Sequence, residues 1–225
     1  MPISKIRPIR SYVLRQGRLT KHQAEGIKSL SSLYAIPFGD SILNWDTIFN
    51  GEGESIIEIG FGMGQTTAEI AEALSNSNFI AIDVHSPGVG NLLNKIKEKK
   101  LKNLKIIQHD AVEVLKKMIQ DESLDAVHIF FPDPWHKKRH NKRRLIQEPF
   151  LELISRKLKK EGYIHIATDW EDYANWIIEI FKKNSMYKAK DMDFSKKPSY
   201  RPKTKYETRG VNLGHQVWDM VFVKS

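Results

Sequence analysis

Two short stretches hold the residue types that could do chemistry. "EIGFGMGQTT" sets Gly60, Gly62 and Gly64 between an apolar run and a helical pattern, with Glu58 just upstream. Glycine permits positive φ and close backbone approach, so a ligand can lie against such a turn. "FFPDPWHKKRHNKRR" fixes Asp133 between Pro132 and Pro134. It follows at once with Lys137, Lys138, Arg139, Lys142, Arg143 and Arg144, six cations within eight positions. Each proline locks its own φ and disfavours helical geometry in the residue before it, so a rigid, extended presentation of Asp133 is expected. Trp135 is a candidate to stack on a base, with core or rim packing an equal alternative. The cation run suits a polyanion, because clustered Lys and Arg displace counterions condensed on nucleic acid.

The elements that must position these residues alternate. "SIIEIGFG", "FIAIDV", "LKIIQHD", "LDAVHIFFP" and "GYIHIATD" read as strands, each followed by a stretch of helical spacing, and the chain closes on "HQVWDMVFVK". Five β-then-α units and a final strand predict an α/β fold with a mostly parallel sheet and helices on both faces. Ligands gather at the carboxyl ends of such strands. Glu58, Asp83, Asp110, Asp133 and Asp169 stand at or just beyond those ends. One acid there could simply cap the next helix. Five on one sheet edge would repel one another, and they point to a ligand with hydroxyls, amines or positive charge.

Asp83 falls 19 residues after Gly64, where an acid accepts hydrogen bonds from ribose hydroxyls in nucleotide-binding α/β folds. Asp110 is placed to hold the adenine-side edge of the same ligand. The glycine spacing is Gly-x-Gly-x-Gly and position 65 is Gln, so the Gly-x-Gly-x-x-Gly fingerprint for pyrophosphate is not met. S-adenosylmethionine, which has no phosphate but carries an ammonium and a sulfonium, fits better than a dinucleotide.

Composition narrows the class further. The chain contains no cysteine, which excludes disulfides, thiolate metal sites and Cys nucleophiles. Its eight histidines form no metal-ligand pattern, and no metal is expected. No apolar run reaches the ~20 residues that span a bilayer. The basic N-terminus lacks the apolar stretch of a secretory signal, so a cytoplasmic location is expected. The net charge of +9 is segregated. Residues 1–24 and 137–144 each hold six basic residues and no acid, and residues 182–209 hold ten basics against three acids, so the remainder is acidic. At 225 residues one domain is expected over 1–225, with 1–24 a basic segment that orders on binding RNA or cofactor.

In order along the chain, "RSYVLRQGRLTK", "EIGFGMG", "DVHSPGVG", "HDAVEVL", "FFPDPWHKKRHNKRR", "ATDWEDYA" and "TKYETRG" resemble the bacterial tRNA (guanine-N(7)-)-methyltransferase family over nearly the whole sequence. The glycine turn alone is generic to class I methyltransferases. Pro-Asp-Pro-Trp-His-Lys together with Thr-Lys-Tyr-Glu is specific. Asp83 stands where many relatives carry Glu, and Tyr206 where Phe is common; both are mild departures.

The resemblance implies a doubly wound, mostly parallel seven-stranded Rossmann-like methyltransferase sheet, S-adenosylmethionine as cofactor and tRNA as partner. The implied product is 7-methylguanosine at position 46 of the variable loop. It further implies that Glu58, Gly60, Gly62, Gly64, Asp83, Asp110 and Asp133 bind the cofactor, with Asp133 the catalytic position. Lys137, Asp169, Thr204, Lys205, Tyr206 and Glu207 would contact the target guanosine. Arg139, His140, Asn141, Lys142, Arg143 and Arg144 would meet the RNA. A monomer or homodimer is expected. A related enzyme acting on another RNA or on protein, and a non-catalytic RNA-binding subunit, stay open at this point. The five strand-end acids argue against the binder, which needs no cofactor pocket.

Overall fold

The computed structural model describes residues 10–13, 17–203, 207 and 216–225. Its strands are β1 (Glu54–Ile59), β2 (Ser77–Ile82), β3 (Leu104–Ile107), β4 (Leu124–Phe130), β5 (Leu158–Thr168), β6 (Tyr187–Ala189) and β7 (Trp218–Lys224). The helices are α1 (Lys21–Tyr34), α2 (Trp45–Phe49), α3 (Gln65–Ala73), α4 (Ser86–Lys99), α5 (Ala111–Lys117), α6 (Glu148–Lys157) and α7 (Glu171–Lys182).

The strands form one sheet in the order β3-β2-β1-β4-β5-β7-β6. β1 to β5 are parallel, and β7 runs antiparallel between β5 and β6. Strands covered on both faces must be apolar throughout, which explains why β1, β2 and β4 read as continuous hydrophobic runs. One core packs α5, α6 and α7 against Ile57, Ile59, Val127 and Ile129. The other packs α1, α3 and α4 against Ile56, Phe79, Ala81 and Ala126. Both faces are therefore wound, and the order of the strands reverses between the parallel neighbours β1 and β4, where a crevice opens at the strand carboxyl ends.

Two departures from the sequence reading concern the N-terminal half and the basic run. Residues 21–24, expected to belong to a loose segment, are the first turn of α1. Thr20 and Gln23 cap that helix reciprocally, with Gln23 N donating to Thr20 Oγ1 at 3.2 Å and Thr20 N donating to Gln23 Oε1 at 2.9 Å. α1 then lies so close to α4 that a Cβ on Gly26 would come within 2.8 Å of the Gly90 carbonyl. The helix that follows β4 begins only at Glu148, and a 3-10 turn over Lys138–Arg143 precedes it. Among the described residues, no helix is long and apolar enough to cross a membrane.

Candidate active site

At the end of β1 the chain turns through Gly60, Gly62 and Gly64, all with positive φ. A Cβ on Gly60 or Gly62 would meet nothing within 4 Å, so the turn leaves open space above its backbone. Gly64 differs: its Cβ would strike Leu92 at 2.7 Å, which makes it a packing glycine between α3 and α4. Asp83 holds the turn in place, accepting from Gly62 N at 2.9 Å and from His85 N at 3.0 Å. Burial raises its pKa, and those backbone donors pull the other way.

Beside this turn lies a cavity of about 300 Å3 between the ends of β1, β2, β3 and β4. Gly60, Asp83, Asp110 and Asp133 all line it. Asp110 also caps α5, accepting from Val112 N at 2.9 Å. Sequence reasoning missed His109, whose ring stacks on Phe38 at 3.6 Å and whose buried Nδ1 has no partner among the described residues. It also missed the roof, formed by Ser11, Tyr12 and Val13. The Tyr12 hydroxyl is pushed above its ordinary pKa by burial first and by the Asp110 charge second. Glu58 sits behind the turn and is 3 % exposed. Thr67 Oγ1 donates to its Oε1 at 3.0 Å, while Oε2 is buried without a partner among the described residues. Desolvation pushes the Glu58 pKa up to about 8, which keeps the carboxyl protonated at neutral pH.

A second cavity of about 400 Å3 adjoins the first and is walled by Trp135, His136, Lys137 and His140. Asp133 and Val13 line both cavities. The turn that presents Asp133 is framed by Phe131 at φ 51° and Trp135 at φ 49°. The extended geometry expected before Pro132 is therefore not adopted: Phe131 is left-handed, and its N–H donates to Ala167 O at 2.8 Å. A bulky residue in that region is strained, and such strain concentrates at functional sites. Asp169 follows β5 and is half-buried, and Trp170 rather than Asp169 occupies the N-cap of α7.

The basic run divides into two sets. Lys137, Lys138, Arg139 and Lys142 are exposed. Arg144, expected to meet RNA, is instead 2 % exposed and turned inward. It donates to Pro134 O at 2.9 Å, pairs with Asp172 and lies over the Tyr173 and Trp176 rings. Arg143, also expected to face RNA, grips the roof by donating to Arg10 O at 3.1 Å and Tyr12 O at 3.2 Å. Its guanidinium covers the Trp135 ring at 3.8 Å, and the Trp135 indole N–H donates to Ser11 O at 3.1 Å. Trp135 is thus engaged internally. The exposed aromatic on the rim is Trp170, 39 % accessible, edge-on to His136 at 4.1 Å. His140 lies edge-on to Trp135, and partial burial followed by the surrounding cations lowers its pKa. The Asn141 amide is 3.1 and 3.3 Å from the Trp135 and Lys137 carbonyls, where its NH2 group can donate to both. Thr204, Lys205 and Tyr206 lie outside the described residues. Glu207 is 4 % exposed and ion-paired with Arg201.

A family model described as a putative methyltransferase matches residues 52–220. A tRNA (guanine-N(7)-)-methyltransferase of Methylobacillus flagellatus is 53% identical over 217 residues, 96% of this chain and 91% of that protein. The chain belongs to the tRNA (guanine-N(7)-)-methyltransferase family. Members from Neisseria meningitidis and Burkholderia pseudomallei are 52% and 50% identical, over 96% and 97% of this chain and 91% and 83% of theirs. Among solved structures, the 16S rRNA methyltransferase KamB superposes with a TM-score of 0.57 at 12% identity, covering 80% of this chain and 92% of that one. The aminoglycoside resistance methyltransferase NpmB1 gives 0.52 at 16%, covering 80% and 91%. These two likenesses concern the fold.

Proposed function

We propose that this member of the family transfers the methyl group of S-adenosylmethionine to N(7) of a guanosine in tRNA, at position 46 of the variable loop. The observation that carries the reading is the wall shared by two adjoining cavities: Asp133 lines both, so a donor in one and an acceptor in the other would meet at its carboxylate.

The residues of the first cavity fit S-adenosylmethionine. Open space above Gly60 and Gly62 admits a ligand against the backbone. Asp83 keeps acceptor capacity beyond its two backbone donors, since a carboxylate offers about four lone-pair sites. Asp110 adds a further acceptor on the adenine side, and no phosphate-binding fingerprint is present. When bound, S-adenosylmethionine supplies a methyl on a sulfonium; the C–S pair stays on sulfur as the N(7) lone pair forms the new C–N bond.

Guanine N(7) is unprotonated at neutral pH, so the protein needs no general base, and its contribution is positioning and electrostatics. Asp133 holds a carboxylate where positive charge develops on the purine. Lys137 and Asp169 orient the base, joined by the 204–207 stretch. Lys138, Arg139 and Lys142 grip the RNA backbone beside the second cavity. The test is incubation with unmodified tRNA and methyl-labelled S-adenosylmethionine, followed by nucleoside analysis. The expected product is 7-methylguanosine, lost when position 46 is changed to adenosine; 1-methyl- or 2-methylguanosine would overturn the proposal.

A further inference from the structure

Beside the site, the interior holds a dense polar cluster centred on Arg201. Arg201 is fully buried. Along one edge it donates to Asp219, from Nε to Oδ1 and from Nη2 to Oδ2, each at 2.6 Å. Along the other it donates to Glu207, from Nη1 to Oε2 at 2.7 Å and from Nη2 to Oε1 at 3.1 Å. His165 Nε2 lies 2.8 Å from the same Asp219, and the other nitrogen of that ring meets the Tyr200 hydroxyl at 2.7 Å. The guanidinium also lies 5.7 Å from the Phe131 ring and 6.0 Å from the Phe130 ring. Both rings line the cavity that suits the cofactor.

A buried ion cluster is weak as a source of stability, since apolar side chains of equal volume often serve as well. What only a planar guanidinium supplies is a directional hold on two carboxylates at once. The two carboxylates belong to different parts of the molecule. Asp219 is on β7, fixed in the sheet. Glu207 ends the stretch that the proposed function sets against guanine. Phe131, against which the guanidinium rests, opens the left-handed turn that carries Asp133.

We infer that Arg201 is a positioning residue for methyl transfer: it ties Glu207 to β7 and lies beside the Phe131 turn, so that Glu207 and the Asp133 wall keep one register. The inference rests on the proposed function. It is tested on the full chain with Arg201→Lys, which keeps the charge and loses the fork, and with Asp219→Asn, which is isosteric. Single-turnover methylation of unmodified tRNA is measured at saturating substrates, with cofactor affinity by calorimetry and folded fraction by near-UV circular dichroism. Arg201→Lys is expected to bind S-adenosylmethionine within about threefold of wild type while its rate per folded molecule falls about a hundredfold; Asp219→Asn is expected to lose about tenfold. A purely structural role would lower activity only in step with the folded fraction, and a wild-type rate per folded molecule in Arg201→Lys would overturn the inference. If the lysine variant does not fold, an unchanged rate per folded molecule in Asp219→Asn overturns it equally. A wild-type enzyme forming no 7-methylguanosine would bring down the functional reading and this inference together; an active wild type with unaffected variants would bring down the inference alone.

Discussion

Glu58 carries a carboxyl into an apolar interior with Thr67 as its one hydrogen-bond donor among the described residues, and burial lifts its pKa from 4.5 to about 8. Between those values the folded chain keeps the proton and the unfolded chain releases it, so stability is greatest below the lower value and falls as pH rises through the window. Thermal unfolding should therefore show a midpoint that drops from about pH 5 to about pH 8. Glu58→Gln, which keeps an acceptor for Thr67, should flatten that drop, and an unchanged slope would count against a raised Glu58 pKa. The two tryptophans at the site call for a second experiment. Trp135 has Arg143 over its ring, whereas Trp170 is exposed on the rim. If Trp170 stacks on an RNA base, Trp170→Ala should raise KM for tRNA about tenfold, in the range of one stacking contact, and Trp170→Phe should recover most of it. Equal KM values in wild type and Trp170→Ala would leave the rim aromatic without a role in binding.

In the proposed function, the element that joins the two substrates is the 3-10 turn Lys138–Arg143 with its flanks. Its exposed cations should set the salt dependence of tRNA binding: Lys138→Ala, Arg139→Ala and Lys142→Ala are each expected to reduce the slope of log K against log salt by about one. Arg144→Ala should instead lower the unfolding midpoint, by about 1–3 kcal/mol in stability, because it removes a buried side chain packed on Tyr173 and Trp176, and it should leave the salt slope alone. The roof over the cofactor cavity depends on Arg143 and Trp135. Arg143→Ala should weaken S-adenosylmethionine binding about tenfold by calorimetry, since two charge-assisted bonds to the Arg10 and Tyr12 carbonyls go with it. The division of the run into exposed and inward-facing cations was not readable from its composition. Lys142, Arg143 and Arg144 look alike in sequence, and only the fold of the turn decides that the last faces Tyr173. The roof was equally hidden, because backbone carbonyls of residues 10 and 12 are its anchors and they carry no side-chain signature. α1 went unread because "KHQAEGIKSLSSLY" has a weak apolar stripe, although Thr20 and Gln23 offered a capping signal.

Over the whole molecule, parallel strands buried on both faces produce the apolar runs from which the βα alternation was legible, and positive φ at the glycine turn shows through residue type alone. β6, three residues long, leaves no such pattern. The segregated charge was legible as well, but part of it is internal: Arg144 and Arg201 lie in two of the basic segments and are both buried, so the surface is less basic there than the sequence count suggests. The central claim is that Asp133, standing between the two cavities, acts on the transfer itself. Asp133→Asn keeps the shape of the turn and removes the charge. Single-turnover methylation of tRNA, measured alongside the separate affinities for S-adenosylmethionine and tRNA, should show both affinities within a few-fold of wild type and a rate lower by about a hundredfold or more. Full turnover by that variant, with both substrates bound normally, would contradict the account.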